Sequence, residues 1–125
     1  MNNGFDKMLA SRLGLFVHFG LYSAFAGKYR GQEIEGLGEW IQRRAEIPIK
    51  EYEEFGRAHF APDKDFAINL VRKAKAAGFR YLVLTSKHHD GFCLFKSEFD
   101  KYNAYEFFGR DLRDEQGTDV VVVDR

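Results

Sequence analysis

A chain of 125 residues, of which 45% are hydrophobic and 16% aromatic, is long enough for one small domain and too apolar to be intrinsically disordered. The 19 basic and 19 acidic side chains leave no net charge at pH 7, so neither nucleic acid nor an anionic membrane is expected as a partner. We also find no membrane-spanning run and no secretory signal before Arg12, and we therefore expect a cytoplasmic protein.

The first predicted element is a strand over residues 13–19, a short apolar run with His18 near its end. A glycine-rich stretch over 20–38 follows, and its composition predicts a loop. Loops of this length in compact domains usually carry function. Glu39 and Trp40, the only tryptophan, close this loop.

Two helical segments and a second strand come next. Pro48 opens a short helix that runs through Phe55. Residues 65–77 have an apolar face, basic residues late and Gly78 behind them, which predicts an amphipathic helix. An apolar strand over 81–84 follows. The order strand, helix, strand predicts a parallel unit whose two strand ends lie at the same edge of the sheet.

The second strand runs into polar residues after Lys87, namely His88, His89 and Asp90. In α/β enzymes the residues that contact ligands stand at such strand ends. Adjacent residues of a strand point to opposite faces, so both histidines reach one ligand only if the backbone leaves the strand at Lys87. Asp90 precedes Gly91 and is expected to bond its own backbone in a turn. A metal site of His88, His89 and Asp90 stays open, although adjacent histidines suit one ion poorly.

The remaining segments add less. We interpret His59 as structural and Cys93 as buried. Residues 112–118 lack helical periodicity, and the valines at 120–123 predict one buried strand. Two or three strands with one clear helix cannot cover both faces of a parallel sheet. The expected fold class is therefore α/β, as the first two to three β/α units of a partial (β/α)8 TIM barrel.

Four segments of the chain, over 12–23, 38–40, 66–77 and 81–92, stand in an order and spacing that resemble those of the α-L-fucosidases, glycoside hydrolase family 29. The sequence Lys-His-His-Asp-Gly-Phe is fairly specific when it follows a strand. The resemblance covers residues 12–111, whereas 112–125 diverge. We interpret the divergence as truncation or a reading-frame change near Leu112, which makes residues 1–125 an N-terminal fragment of a catalytic domain.

The resemblance implies retaining hydrolysis of α-L-fucosides on a (β/α)8 barrel, with a fucosylated glycan or fucoside as substrate and with no cofactor or metal. The residues that it implies for binding fucose are His18, Glu39, Trp40, His88 and His89, with Phe16 lining the pocket for the C6 methyl group. The nucleophilic aspartate and the acid/base are expected beyond the C-terminus, so no catalytic residue is assigned and the isolated chain is expected to be inactive. Two alternatives stay open: a non-catalytic fucose-binding or structural module, and a His/Asp metallohydrolase.

Overall fold

The computed structural model describes residues 4–112 and 120–124. The helices are α1 (Gly4–Ser11), α2 (Ile41–Arg44), α3 (Ile49–His59), α4 (Phe66–Ala76) and α5 (Ala104–Phe108). The strands are β1 (Gly14–Val17), β2 (Lys28–Tyr29), β3 (Gln32–Glu33), β4 (Tyr81–Lys87) and β5 (Val120–Asp124). Short 3₁₀ helices cover Leu21–Phe25 and Gly38–Trp40. Within the described ranges, no helix combines the length and the apolar composition needed to cross a membrane.

The main sheet has three parallel strands in the order β1-β4-β5. Leu15 pairs with Leu82 in β4, and Leu82 pairs with Val120 in β5. The predicted parallel unit is thus confirmed, and β1 and β4 end at the same edge of the sheet. The strand predicted over 81–84 ends too early, since β4 continues to Lys87. The sequence does not indicate this extension because Thr85 and Ser86 are polar, although both are buried.

The two predicted helices are present. Pro48 caps α3, which continues past the predicted end at Phe55 to His59. The apolar face predicted over 65–77 forms α4, and Gly78 follows it at φ +90°, a conformation that glycine adopts without strain. The helix therefore ends where the sequence indicates.

The glycine-rich stretch over 20–38 is more regular than its composition indicates. It contains the 3₁₀ helix Leu21–Phe25 and the two-stranded hairpin of β2 and β3. Two contacts join the hairpin to α3: the Tyr29 hydroxyl donates to Glu51 Oε1 at 2.8 Å, and Arg30 forms an ion pair with Glu51 at 3.1 Å. The prediction of an irregular loop is wrong here, because such short elements depend on contacts with α3 rather than on local periodicity.

The core lies between the sheet, α3 and the first 3₁₀ helix. Its most buried side chains include Leu21, Ile41, Tyr52, Leu84 and Leu94. Beyond β4 the chain folds back, and the Leu94 amide donates to the Ser86 carbonyl oxygen at 2.8 Å. Cys93 is buried, as predicted.

The last part of the chain is only partly described. The sequence does not predict α5, since it is only five residues long. The valines over 120–123 lie in β5, as predicted. Residues 113–119 lie outside the described residues, so the divergence placed over 112–125 stays a prediction.

Candidate functional site

The end of β1 presents an imidazole and a phenyl ring together. His18 follows Val17, the last residue of β1, and is exposed. Phe16 is 51% exposed, and its ring stacks on His18 with centroids 5.2 Å apart. Thr85 Oγ1 donates to the Val17 carbonyl oxygen at 3.4 Å, which holds this strand end against β4. The Phe16 ring and the His18 imidazole therefore lie side by side at the protein surface.

The end of β4 presents two imidazoles. The pairing of β4 with β5 shifts register between Thr85 and Lys87, and the strand ends at Lys87. A turn follows, in which the Gly91 amide donates to the His88 carbonyl oxygen at 3.0 Å. Gly91 has φ +79°, a left-handed conformation that favours glycine. The backbone thus leaves the strand at Lys87, as required for His88 and His89 to face one site.

Asp90 holds this turn in place. The Phe92 amide donates to its Oδ1 at 3.2 Å, which confirms that Asp90 bonds its own backbone, and the Tyr52 hydroxyl donates to its Oδ2 at 2.7 Å. Burial raises the pKa of Asp90, and the two hydrogen bonds oppose that rise. Both carboxylate oxygens accept hydrogen bonds that hold the turn. We therefore assign Asp90 as a residue that positions His88 and His89 rather than as a catalytic residue.

The 3₁₀ helix Gly38–Trp40 contributes to the site in addition to the ends of β1 and β4. Ile41, which follows it, is only 1% exposed and anchors this segment in the core. The Trp40 ring stacks on His89 with centroids 4.4 Å apart and meets His88 edge-on at 5.7 Å. Glu39 is half-buried beside it. The end of the long loop thus lies against the end of β4.

The residues predicted for the site converge. The His18 and His88 rings are 5.3 Å apart, and nitrogen and carboxylate atoms of His18, Glu39 and His88 all lie within 4.8 Å of one another. The cluster comprises Phe16, His18, Glu39, Trp40, His88 and His89. His59 is the exception among the histidines, as predicted, because it is exposed on α3 and its Nδ1 hydrogen-bonds the Phe55 carbonyl oxygen at 2.9 Å.

Two buried polar atoms in or beside the cluster lack hydrogen-bond partners within the described part of the chain. They are His88 Nδ1 and the hydroxyl of Tyr22, whose ring meets His88 edge-on at 5.8 Å. Burial first, and the neighbouring His89 and His18 second, lower the pKa of His88, so its ring is neutral near pH 7 and offers one donor and one acceptor. Burial raises the pKa of Tyr22, which keeps its hydroxyl a donor. Sequence reasoning did not assign Tyr22 to the site, although it follows His18 by four residues.

The cluster also offers a set of donor atoms for a metal. His18, Glu39 and His88 supply two nitrogens and one oxygen. Bonds of roughly 2.0–2.2 Å place the ligand atoms of one tetrahedral zinc ion about 3.4 Å apart, so these side chains would rotate inward to bind it. This trio differs from the predicted alternative of His88, His89 and Asp90. Among the described residues, it is the trio whose ligand atoms lie within 4.8 Å of one another.

Comparison with known proteins identifies relatives of this chain. The family model described as α-L-fucosidase matches residues 4–121. Plasma α-L-fucosidase of Homo sapiens is 30% identical over 114 residues, which cover 77% of this chain and 22% of that protein. Putative α-L-fucosidase 1 of Oryza sativa subsp. japonica is 36% identical over 94 residues, which cover 75% of this chain and 14% of that protein.

Solved structures agree. An α-L-fucosidase of Lactobacillus casei in complex with α-L-fucose product matches with a TM-score of 0.86 and 36% identity, covering 98% of this chain and 41% of that one. A trapped covalent intermediate of a family 29 α-L-fucosidase of Bacteroides thetaiotaomicron matches with a TM-score of 0.87 and 31% identity, covering 99% and 30%. This chain spans less than half of each of these four proteins. It belongs to the α-L-fucosidase family, glycoside hydrolase family 29.

Proposed function

We propose that this chain supplies the fucose-binding wall of an α-L-fucosidase active site. The observation that carries the proposal is the convergence of three imidazoles, a carboxylate and an indole at the end of the parallel sheet. The rings of His88 and His89 are 4.7 Å apart, and Trp40 contacts both. Membership of the α-L-fucosidase family supports this assignment of the cluster to a fucoside rather than to another small ligand.

The chemistry of the side chains suits a sugar. Each hydroxyl group of a sugar donates one hydrogen bond and accepts others, and a neutral imidazole offers one donor and one acceptor. The Glu39 carboxylate accepts from hydroxyl groups, whereas Trp40 offers an apolar face for the C–H groups of the ring. The exposed ring of Phe16 provides an apolar contact for the C6 methyl group that distinguishes fucose from galactose.

The position in the fold supports the same function. We infer that β1, β4 and β5 are the first strands of a (β/α)8 barrel, because they are parallel and because the chain matches family 29 structures over nearly its whole length. Barrel enzymes bind substrate at the C-terminal ends of these strands. The cluster lies at the ends of β1 and β4, where such a site belongs.

Hydrolysis with retention needs more than this wall. It needs a nucleophilic carboxylate and an acid/base, roughly 5–5.5 Å apart. Two carboxylates lie beside the histidines among the described residues. Asp90 accepts hydrogen bonds from Tyr52 and Phe92, and Glu39 shares a cluster with His18 and His88. We therefore assign no nucleophile among them and propose that these 125 residues bind fucosides without hydrolysing them.

Calorimetry with phenyl α-L-fucoside tests the proposal. We expect weak saturable binding by the chain, with a dissociation constant on the order of 1 mM. His88→Ala should weaken binding at least tenfold, about 1.4 kcal/mol. His59→Ala is the matched control, because it removes an exposed imidazole outside the cluster. Equal binding by both variants contradicts the proposed site.

Two further measurements separate the alternatives. Release of phenol by the wild-type chain that is lost in His88→Ala would contradict the proposed lack of hydrolysis. Stoichiometric zinc or iron in the purified protein, lost in the same variant, would instead favour a metallohydrolase that uses His18, Glu39 and His88.

A further inference from the structure

A solvent-open cavity at the surface shares Trp40 with the candidate sugar site. It has a volume of about 410 Å³ and is lined by Leu37, Trp40, Arg43 and Arg44. Trp40 belongs to both sites, since its ring also stacks on His89 at 4.4 Å. The cavity and the histidine cluster therefore share one side chain. The volume falls in the range of pockets that bind small molecules, about 300–1,000 Å³, and suits one sugar or aryl unit.

Two guanidinium groups give the cavity its charge. The Arg43 guanidinium carbon lies 6.0 Å from the centroid of the Trp40 ring. The Arg44 guanidinium packs so closely on Gly36 that an added Cβ there would approach it to 2.5 Å. Gly36, at φ +103°, has a backbone conformation that other residues rarely adopt. The loop is thus shaped to accept the Arg44 side chain against its backbone.

Neither arginine has an ion-pair partner among the described residues. Other arginines do: Arg30 pairs with Glu51 at 3.1 Å and Arg57 pairs with Glu53 at 3.3 Å. Acidic residues flank the cavity segment in the sequence, but none of them forms an ion pair with Arg43 or Arg44 within the described ranges. Two cationic groups that pair with no described carboxylate therefore line a cavity that shares its tryptophan with the sugar site.

We propose that this cavity binds a carboxylate or sulfate carried by the unit attached to fucose, so that the site selects acidic fucosides. The planar guanidinium group binds both anions through paired N–H donors. Trp40 and the exposed Leu37 supply apolar contact for the ring that carries the anion. The inference rests on the proposed function, because it concerns the group linked to a fucose bound by the histidines.

Two aryl fucosides that differ only in charge test the proposal. 4-Carboxyphenyl α-L-fucoside and 4-carbamoylphenyl α-L-fucoside have nearly the same shape, and only the first is anionic at pH 7. We expect the wild-type chain to bind the acid about three to ten times more tightly at low salt. Added NaCl should reduce this preference, since it screens exposed charges.

A pair of double variants locates the preference. Arg43→Gln with Arg44→Gln should bind both fucosides equally, because the two cationic groups that distinguish the acid from the amide are gone. Arg72→Gln with Lys73→Gln is the matched control, because it removes two positive charges from the exposed surface of α4. It should keep the preference. Equal affinities in the wild-type chain, or a preference that survives in the Arg43 and Arg44 variant, would overturn the proposal.

A probe without fucose separates this inference from the proposed function. If neither fucoside binds, the proposed fucose site fails, and phenyl sulfate then tests the cavity by itself. Changes in the side-chain N–H NMR signals of Arg43 and Arg44 on titration with phenyl sulfate would support an anion site. The absence of such changes would overturn it. Retained binding of the carbamoyl fucoside shows that the double variants remain folded.

Discussion

The ends of β1 and β4 have the same local pattern, an apolar strand that runs into histidine, but the fold supports them differently. β4 has a strand on each side and is buried from Leu82 to Ser86, whereas β1 pairs with β4 alone among the described strands. The turn after β4 is held by Asp90, and His18 after β1 is exposed. The end of β4 is thus part of the core, whereas the end of β1 lies at the surface.

This difference has consequences for mutations. A change behind the end of β4 should disturb both folding and binding, because the same contacts serve both. A change at the end of β1 should affect binding with little effect on folding.

Truncation of Leu84 in β4 should have the largest effect. Leu84 is fully buried, and Leu84→Ala should lower the free energy of unfolding by about 2–5 kcal/mol through lost contacts and a cavity. Leu15→Ala in β1 is the matched change and should lower it by about half as much, since Leu15 is only partly buried. Urea unfolding measures both. Equal losses would contradict the proposed contrast between the two strands.

Removal of the Tyr52 hydroxyl should have the second largest effect, because it weakens the turn that follows β4. Tyr52→Phe leaves Asp90 Oδ2 without its 2.7 Å hydrogen bond, which should cost about 1–3 kcal/mol in the free energy of unfolding. The affinity for phenyl α-L-fucoside should fall with it, because the turn carries His88 and His89. Tyr105→Phe, on the exposed face of α5, should change neither. Weakened stability with unaltered affinity would limit Asp90 to a structural role.

Acidification should have the smallest effect. The pKa of His88 lies below its ordinary 6.5, mainly because of burial, so the folded state binds fewer protons at this site than the unfolded chain does. Its contribution to stability is therefore complete above about pH 6.5 and is lost as the pH falls through the lowered pKa. Asp90 and Glu39, which face His88, act in the opposite direction by favouring its charged form.

His88→Asn isolates that contribution. Thermal unfolding between about pH 7.5 and 5 should show a steeper fall in Tm for the wild-type chain than for the variant. Parallel curves would indicate that His88 keeps an ordinary pKa in the folded state.

The sequence predicts the parts of the molecule that local pattern determines. The alternation of apolar strands with an amphipathic helix is sufficient to predict the pairing of β1 with β4, and the pairing brings His18 near His88. The family resemblance supplies Glu39 and Trp40, because no periodicity links that loop to the strands. The structure brings both into the cluster.

The features that sequence reasoning missed depend on contacts between distant segments. Tyr52 lies 38 residues before Asp90, and nothing in its own helix indicates that its hydroxyl reaches the turn. The hairpin of β2 and β3 is held by Glu51 on α3. In the sequence, Arg43 and Arg44 look like ordinary surface charges. In the structure, the Arg44 side chain packs on Gly36, and the Arg43 side chain lies near the Trp40 ring. Packing rather than propensity decides each of these cases.

The imidazole NMR signals of the four histidines report directly whether the two strand ends and the loop bind one fucose together. On titration of the ¹⁵N-histidine-labelled chain with α-L-fucose, the signals of His18, His88 and His89 should shift with a common saturation curve. The signal of His59, which lies outside the cluster, should not move. D-fucose, the mirror image, is the control ligand. Shifts of similar size for His59, or the same response to D-fucose, would contradict the account.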